Sequence, residues 1–304
     1  MSNETTHSRP AIPESSAFAL SVVAAILWGT NFEATRIILE QVGPWTAAAG
    51  RFVVAALAIM AWLALTQGIN TKVLRANAFR FLILGMIGVA GFNAALFLGL
   101  QTSSTITGAL IMGTSPLTTN LLDALFQRRT PRLVAVIGMG ISLVGVALTI
   151  GAFAGTRFAS GDVLILLGTF AWAVYTIGCR GWVRNASPLE TSAWTMVFGA
   201  LGLILMAFWA EAPASAGAQA GMTTILAMLW MALPGTVLAY LFWQIGVAVR
   251  GAGATSVLFN LVPVSALLVA MGFGQMPHLS QIAGVAVAIF GVLLASGRLK
   301  PWWR

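Results

Sequence analysis

A chain of 304 residues in which 59% of the side chains are hydrophobic and only 8% are charged does not cover itself for water, because a soluble domain carries roughly a quarter of its residues as charge. Its surface is made for lipid. The net charge of +8 sits in short basic clusters between apolar runs, the pattern of membrane loops, and no exposed basic face for nucleic acid can be assembled from them. The single Cys179 excludes an intramolecular disulfide, and His7 and His278 lack neighbours at ligand spacing, so neither metal nor cofactor is expected.

Residues 1–16 are polar and lack the basic start, apolar centre and cleavage site of a secretory signal, which makes them a cytoplasmic tail. Beyond them lie apolar runs at 17–39, 44–66, 79–100, 103–126, 132–151, 161–182, 188–210, 221–248, 252–273 and 280–298. Each is near the roughly 20 residues that span a hydrocarbon core, and backbone polar groups there pair only within helices. The expectation is an all-α integral membrane protein of ten transmembrane helices, with tight hairpins at 79–126 and 221–273. With the N-terminus inside, thirteen basic residues fall on inner ends and loops: Arg9, Lys72, Arg75, Arg80, Arg128, Arg129, Arg132, Arg180, Arg184, Arg250, Arg298, Lys300 and Arg304. Only Arg36, Arg51 and Arg157 fall on outer ends. That bias places both termini in the cytoplasm.

The two halves repeat. Trp28, Arg36 and Pro44 match Trp172, Arg180 and Pro188, all 144 residues on; Gly88, Gly99 and Pro116 match Gly235, Gly246 and Pro263 at 147; Pro131, Gly138 and Gly145 match Pro277, Gly284 and Gly291 at 146. Five spans per copy force the second copy to run the other way through the membrane. The expected plan is two inverted five-helix repeats, 17–151 and 161–298, joined by an outer linker at 152–160 and followed by a cytoplasmic tail at 299–304. Such transporters bind solute near the midplane between the repeats.

Five spans twice, with a Trp in the middle of each half's first span, resembles the EamA type of the drug/metabolite transporter superfamily. So does the stretch from Gly246 through Ala254, Leu261, Val262 and Pro263 to Phe273, Gly274 and Gln275. The resemblance covers about residues 17–298. Within the superfamily the chain is most similar to the YddG-type bacterial amino-acid exporters, and this implies an inner-membrane protein that moves amino acids outward. One departure stands out: many members end the fourth and ninth spans in Leu-Gly-Glu, where this chain has Leu125-Phe126-Gln127 and Phe273-Gly274-Gln275. A role for that Glu does not carry over.

Polar and aromatic side chains at depth are the informative ones, because lipid offers them no partner. Trp28, Asn31, Asn93, Phe97, Trp172, Tyr175, Tyr240, Gln244 and Asn260 fall in or near the middle third of their spans and form the candidate substrate site. The three Asn either bond between helices or meet solute. Aromatic faces suit an ammonium, and amides with free backbone groups suit a carboxylate. Glu33 and Arg36, three apart on one helix face, pair as a structural or gating element. Asp123, close to Arg128, is an interfacial residue. Pro116, Pro234 and Pro263 remove backbone donors inside spans and are the candidate hinges for alternating access. Gly138, Gly145, Gly284 and Gly291 permit close helix approach, either within the chain or between chains, so a monomer or weak homodimer is expected. Rival readings are a lipid flippase, an exporter of another metabolite and, more remotely, an intramembrane enzyme. Enzyme chemistry would want a Ser–His pair, facing carboxylates or a His-rich metal site, and no catalytic residue is assigned.

Overall fold

The computed structural model describes residues 12–126, 133–150, 159–211 and 220–295. Most of the 1–16 tail with His7 and Arg9, the loop residues Gln127 to Arg132 with Pro131, Arg157 with nearly all of the 152–160 linker, and the C-terminal Arg298, Lys300 and Arg304 lie outside them. Every regular element among the described residues is helical: α1 Glu14–Leu39, α2 Pro44–Thr66, α3 Thr71–Gly99, α4 Thr105–Gly113, α5 Ser115–Phe126, α6 Leu133–Ile150, α7 Ser160–Gly181, α8 Pro188–Ala210, α9 Met222–Arg250, α10 Ala252–Gly272 and α11 Leu279–Ala295. Seven of these, α1, α2, α3, α7, α8, α9 and α10, are long and apolar enough to cross a membrane. Shorter apolar stretches lie in α6, at Val136–Gly145, and in α11, at Leu279–Gly291.

The helix ends follow local chemistry. Pro44 and Pro188 stand at the first turn of α2 and α8, where a missing N–H costs nothing. At α8, Ser187 and Glu190 form a reciprocal capping box: Glu190 N–H donates to Ser187 Oγ at 3.1 Å, and Ser187 N–H donates to Glu190 Oε2 at 2.8 Å. The start of α2 has no cap of its own. Instead Glu211, just past α8, accepts from the backbone N–H of Trp45 at 3.0 Å and of Thr46 at 2.8 Å, an anion at a helix N-terminus. At the other end of the same helix pair, Ser187 Oγ donates to Gln67, just past α2, at 2.8 Å. The third run starts well before the expected residue 79, because Asn70 caps α3 by accepting from Lys72 and Val73 N–H. Likewise α1 begins at Glu14, inside the expected polar tail.

Two features break helical regularity. The fourth run is not one helix: it turns at Thr114 between α4 and α5, one residue before Ser115-Pro116. Within α3 and α9 the turns widen into π-helix at Gly85–Gly91 and Leu233–Leu238. Those two stretches superpose at the 147-residue offset of the sequence.

The packing pairs the halves with each other. The helix α1 packs on α9 and α10, while α7 packs on α3, α4 and α5; α2 packs on α8, and α6 on α11. Several contacts come in matched couples. A side chain at Gly235 would strike Asn31, and one at Gly88 would strike Tyr175; one at Gly246 would strike Ser21, and one at Gly99 would strike Ile165. Asn31 with Tyr175, and Ser21 with Ile165, are each 144 residues apart. In the α6–α11 contact, a Cβ on Gly145 would lie 2.7 Å from the Gly284 carbonyl oxygen, and one on Gly291 would lie 2.6 Å from that of Gly138. Backbones approach this closely only because neither residue carries a Cβ. We expect Gly291→Val to force α6 and α11 apart at a cost of about 1–3 kcal/mol, read as a lower melting temperature in detergent. An unchanged melt would contradict this packing.

Candidate functional site

The elements meet at a cluster of aromatic rings whose hub is Trp28 of α1. Its indole lies edge-on to Trp172 of α7 at 5.2 Å between centroids and to Trp243 of α9 at 5.1 Å, and it stacks on Phe259 of α10 at 5.1 Å. Tyr240 of α9 closes the ring at 5.8 Å from Trp28 and 5.3 Å from Trp172. Such pairs are each worth about 0.5–1.5 kcal/mol beyond the burial of their area. Together with Asn31, Phe32, Arg51, Phe92, Leu96, Met112 and Val262, four of these rings (Trp28, Trp172, Tyr240 and Phe259) line a cavity of about 30 Å³, room for a few waters and no more.

One wall of that cavity is polar, and Arg51 holds it together. Seven residues inside α2, its guanidinium is buried, with 2% of the residue exposed. Nε donates to Thr236 Oγ1 at 2.6 Å, Nη1 to Asn93 Oδ1 at 3.1 Å, and Nη2 to the Gly235 carbonyl at 3.3 Å. The same carbonyl accepts from Asn31 Nδ2 at 3.0 Å. Asn93 donates in turn to the Val89 carbonyl at 2.8 Å and to Tyr240 Oη at 3.4 Å, and Thr236 Oγ1 donates to the Met231 carbonyl at 2.7 Å. The π-helical turn around Pro234 therefore presents Gly235 and Thr236 to side chains from α1 and α2, the use to which such bulges are often put. Nothing larger than glycine fits at 235, where a Cβ would collide with the Asn31 amide.

Sequence reasoning placed Arg51 on an outer helix end, and this is a correction: the residue is buried in the bundle because α3 and α9 supply three acceptors that a lipid-facing guanidinium would lack. The signal was available, since Arg51 is the one formal charge in the run 44–66. An Arg at a helix centre costs about 2.5–3.5 kcal/mol on insertion scales, so its presence asks for a reason.

The nine candidate substrate residues divide by position. Trp28, Asn31, Trp172 and Tyr240 line the cavity, and Asn93 reaches it through Arg51. Tyr175 stands behind Trp172 at 5.1 Å; its hydroxyl accepts from Gln244 Nε2 at 2.9 Å and lies 3.2 Å from Thr195 Oγ1. Gln244 lines a separate cavity of about 230 Å³ with Cys179 and Arg180. Asn260 is buried beside Phe259, with its Nδ2 lacking a partner among the described residues. Phe97 lies in the core, away from the cavity walls. Thr236, Phe92 and Phe259 belong to the cavity wall or its polar network and were not singled out from the sequence; the first is an unmarked Thr, and the Phe residues are indistinguishable from core.

The two ends of the bundle differ. At the end where α1 finishes, Glu33 is buried, pairs with Arg36 at 2.6 Å and accepts from Gln275 Nε2, beyond α10, at 2.9 Å; Arg36 also reaches Glu40 at 2.6 Å. At the opposite end lies a vestibule of about 680 Å³ lined by Asp123, Arg180, Trp182, Arg250, Gly251 and the first residues of α10. Asp123 is thus a vestibule residue. Of the prolines, Pro116 opens α5, Pro234 lies in the π-helical turn of α9, and Pro263 packs against Gly113, whose added Cβ would lie 3.0 Å from its ring.

A bundle of apolar helices with a polar and aromatic cavity enclosed at its centre defines a multi-pass membrane transporter. The sequence profile of the EamA-like transporter family matches twice, over residues 15–151 and 159–297, and the chain belongs to that family. It is 35% identical over 282 residues to "Uncharacterized transporter YyaM" of Bacillus subtilis (strain 168), covering 91% of this chain and 92% of that protein. It is 24% identical over 281 residues to the "Probable terminal-alkyne amino-acid exporter" of Streptantibioticus cattleyicolor, covering 91% and 92%. One solved crystal structure superposes with a TM-score of 0.70 over 94% of this chain and 99% of the other, at 23% identity, a likeness of fold.

The Arg51 network makes its own prediction. Thr236→Val keeps the shape and removes the acceptor of a buried charged donor, which should cost about 1–3 kcal/mol in a detergent melt, while Thr236→Ser should cost clearly less. Equal losses from both would mean that the hydroxyl does not hold the guanidinium.

Proposed function

We propose that the chain exports amino acids, broadly including aromatic and other neutral ones, by alternating access between two inverted five-helix repeats in a bacterial inner membrane. The observation that carries this reading is the cavity itself: an aromatic cluster with a guanidinium and amides on one wall, formed where α1, α3, α7 and α9 meet. Support for the repeat comes from the double profile match and from contacts that recur at the offsets of 144, 146 and 147 residues, among them the two π-helical turns. In this reading the ten apolar runs are ten crossings, both termini are cytoplasmic, and the vestibule beside Arg180 and Arg250 faces inward. The relative named as an amino-acid exporter and the likeness to amino-acid exporters favour that substrate class over lipids.

In this reading solute enters from the vestibule, and the aromatic rings part to admit it, since about 30 Å³ is too small for any amino acid. The Glu33–Arg36–Gln275 contacts close the outer side and break when the hairpin of α3–α5 rocks against that of α9–α10. Weak points are the turn at Thr114 before Pro116, the Pro234 turn and the Gly113–Pro263 contact.

Purified protein in liposomes should show saturable flux across a panel of labelled amino acids. Flux without a proton gradient indicates facilitated movement, and flux that requires one points to Glu33 as the coupling group. No flux from folded protein would move the substrate to other metabolites or to lipids. Asn93→Ala and Trp172→Ala should each lower flux roughly tenfold, equivalent to about 1.4 kcal/mol, at unchanged expression; unaltered flux in both would remove them from the site. Pro116→Ala and Pro263→Ala should slow turnover, and wild-type turnover with wild-type conformational exchange would end their role as hinges.

A further inference from the structure

We propose that Arg51 is the carboxylate receptor of the central cavity, and that Asn31 receives the neighbouring ammonium, so that the site selects an α-amino acid by its zwitterionic end. This rests on the reading of the cavity as the transport site and adds to it a named pair of recognition groups.

The argument starts from charge. All three acceptors around Arg51 are neutral: a hydroxyl, a side-chain amide and a backbone carbonyl. Among the described residues no Asp or Glu forms an ion pair with it; the ion pairs found there belong to Arg36 and Arg250. The guanidinium is thus positioned without being neutralised. Each of its nitrogens makes one bond, so each terminal nitrogen keeps a further N–H to donate, and a carboxylate can take up two such donors from one guanidinium. Arg51 is also on the cavity wall, so a ligand lying among the rings meets it directly.

The second observation concerns Asn31. Its Nδ2 is fixed on the Gly235 carbonyl, while its Oδ1 is buried with no donor within reach among the described residues. A buried acceptor left open beside a cavity wants a donor. Because Arg51 Nη2 and Asn31 Nδ2 share the Gly235 carbonyl, the two side chains are held at one point of the cavity wall. An α-amino acid has its ammonium and carboxylate on a single carbon, and two receptors held at one point of the wall suit such a ligand. The side chain then falls against Trp28, Trp172 and Phe259.

Three buried tryptophans, Trp28, Trp172 and Trp243, provide a binding signal that does not depend on transport. Tryptophan emission of the full-length protein in lipid nanodiscs is titrated with L-phenylalanine, with its amide, which lacks the carboxylate, and with 3-phenylpropanoate, which lacks the ammonium. The expected result is that the wild type binds L-phenylalanine at least tenfold more tightly than the amide, and that Arg51→Gln abolishes this preference while Arg51→Lys keeps part of it. Equal affinity of the wild type for acid and amide overturns the proposal without need of any variant. So does a preference that survives in Arg51→Gln. If 3-phenylpropanoate alone binds, and does so through Arg51, the carboxylate role stands and the amino-acid reading falls together with the role of Asn31. If liposomes carry phenylalanine while Arg51→Gln leaves its flux and affinity unchanged, the transport reading stands and the proposal fails.

Discussion

A guanidinium buried among apolar helices is the constraint around which this molecule is arranged. Arg51 needs acceptors at a depth where lipid provides none, and the chain brings them from α3 and α9. Two of those acceptors come from the stretch where α9 widens into π-helix at Pro234, which turns Gly235 and Thr236 toward the bundle interior. Gly235 must lack a side chain for Asn31 to approach, so α1 is tied to the same point. Side chains of α1 and α2 converge on one carbonyl and one hydroxyl of α9, α3 joins them through Asn93, and the cavity forms beside them. The cost of about 2.5–3.5 kcal/mol for such a charge is offset in part by these bonds, and a network of this kind is costly to leave half-made.

Around that polar wall the aromatic cluster supplies the rest of the closure. Trp28 and Trp172 are 144 residues apart in sequence and touch in space, as do Asn93 and Tyr240, 147 apart. Residues at the repeat offsets thus meet across the centre, while the α6–α11 contact and the caps of α2 and α8 come as matched couples: Gly145 on Gly284 with Gly291 on Gly138, and Glu211 on the start of α2 with Gln67 on Ser187. The vestibule lies at one end and the buried Glu33 pair at the other, so the bundle is asymmetric although its packing is not.

The helices were legible because hydropathy and the need to pair backbone groups leave a membrane chain few choices. The Glu33–Arg36 pair followed from spacing alone. The repeat offsets brought Trp28 and Trp172 forward as a couple, and the rings meet. Arg51 was legible only as a lone charge in the run 44–66: its role was not, because a charge seven residues from a helix end resembles an interfacial one until the third dimension supplies Asn93 and Thr236. The same holds for Phe97, whose depth matched that of the cavity while its direction did not, since a hydropathy run of this kind gives depth without azimuth. The early start of α3 was hidden because Lys72, Arg75 and Arg80 make its first turns polar, yet Asn70 is an ordinary N-cap signal. The turn at Thr114 was written in Gly113-Thr114-Ser115-Pro116 and passed over in favour of a single span.

The account's central claim is that solute lodges between the two halves, against the rings and beside Arg51. A crystal structure of the protein with bound 4-bromo-L-phenylalanine tests it most directly, because anomalous scattering locates the bromine independently of the fit. The account predicts the bromine among Trp28, Trp172 and Phe259, with the carboxylate on Arg51. Bromine found only in the vestibule beside Arg180, or on the lipid-facing surface, with the central cavity unchanged, would contradict it.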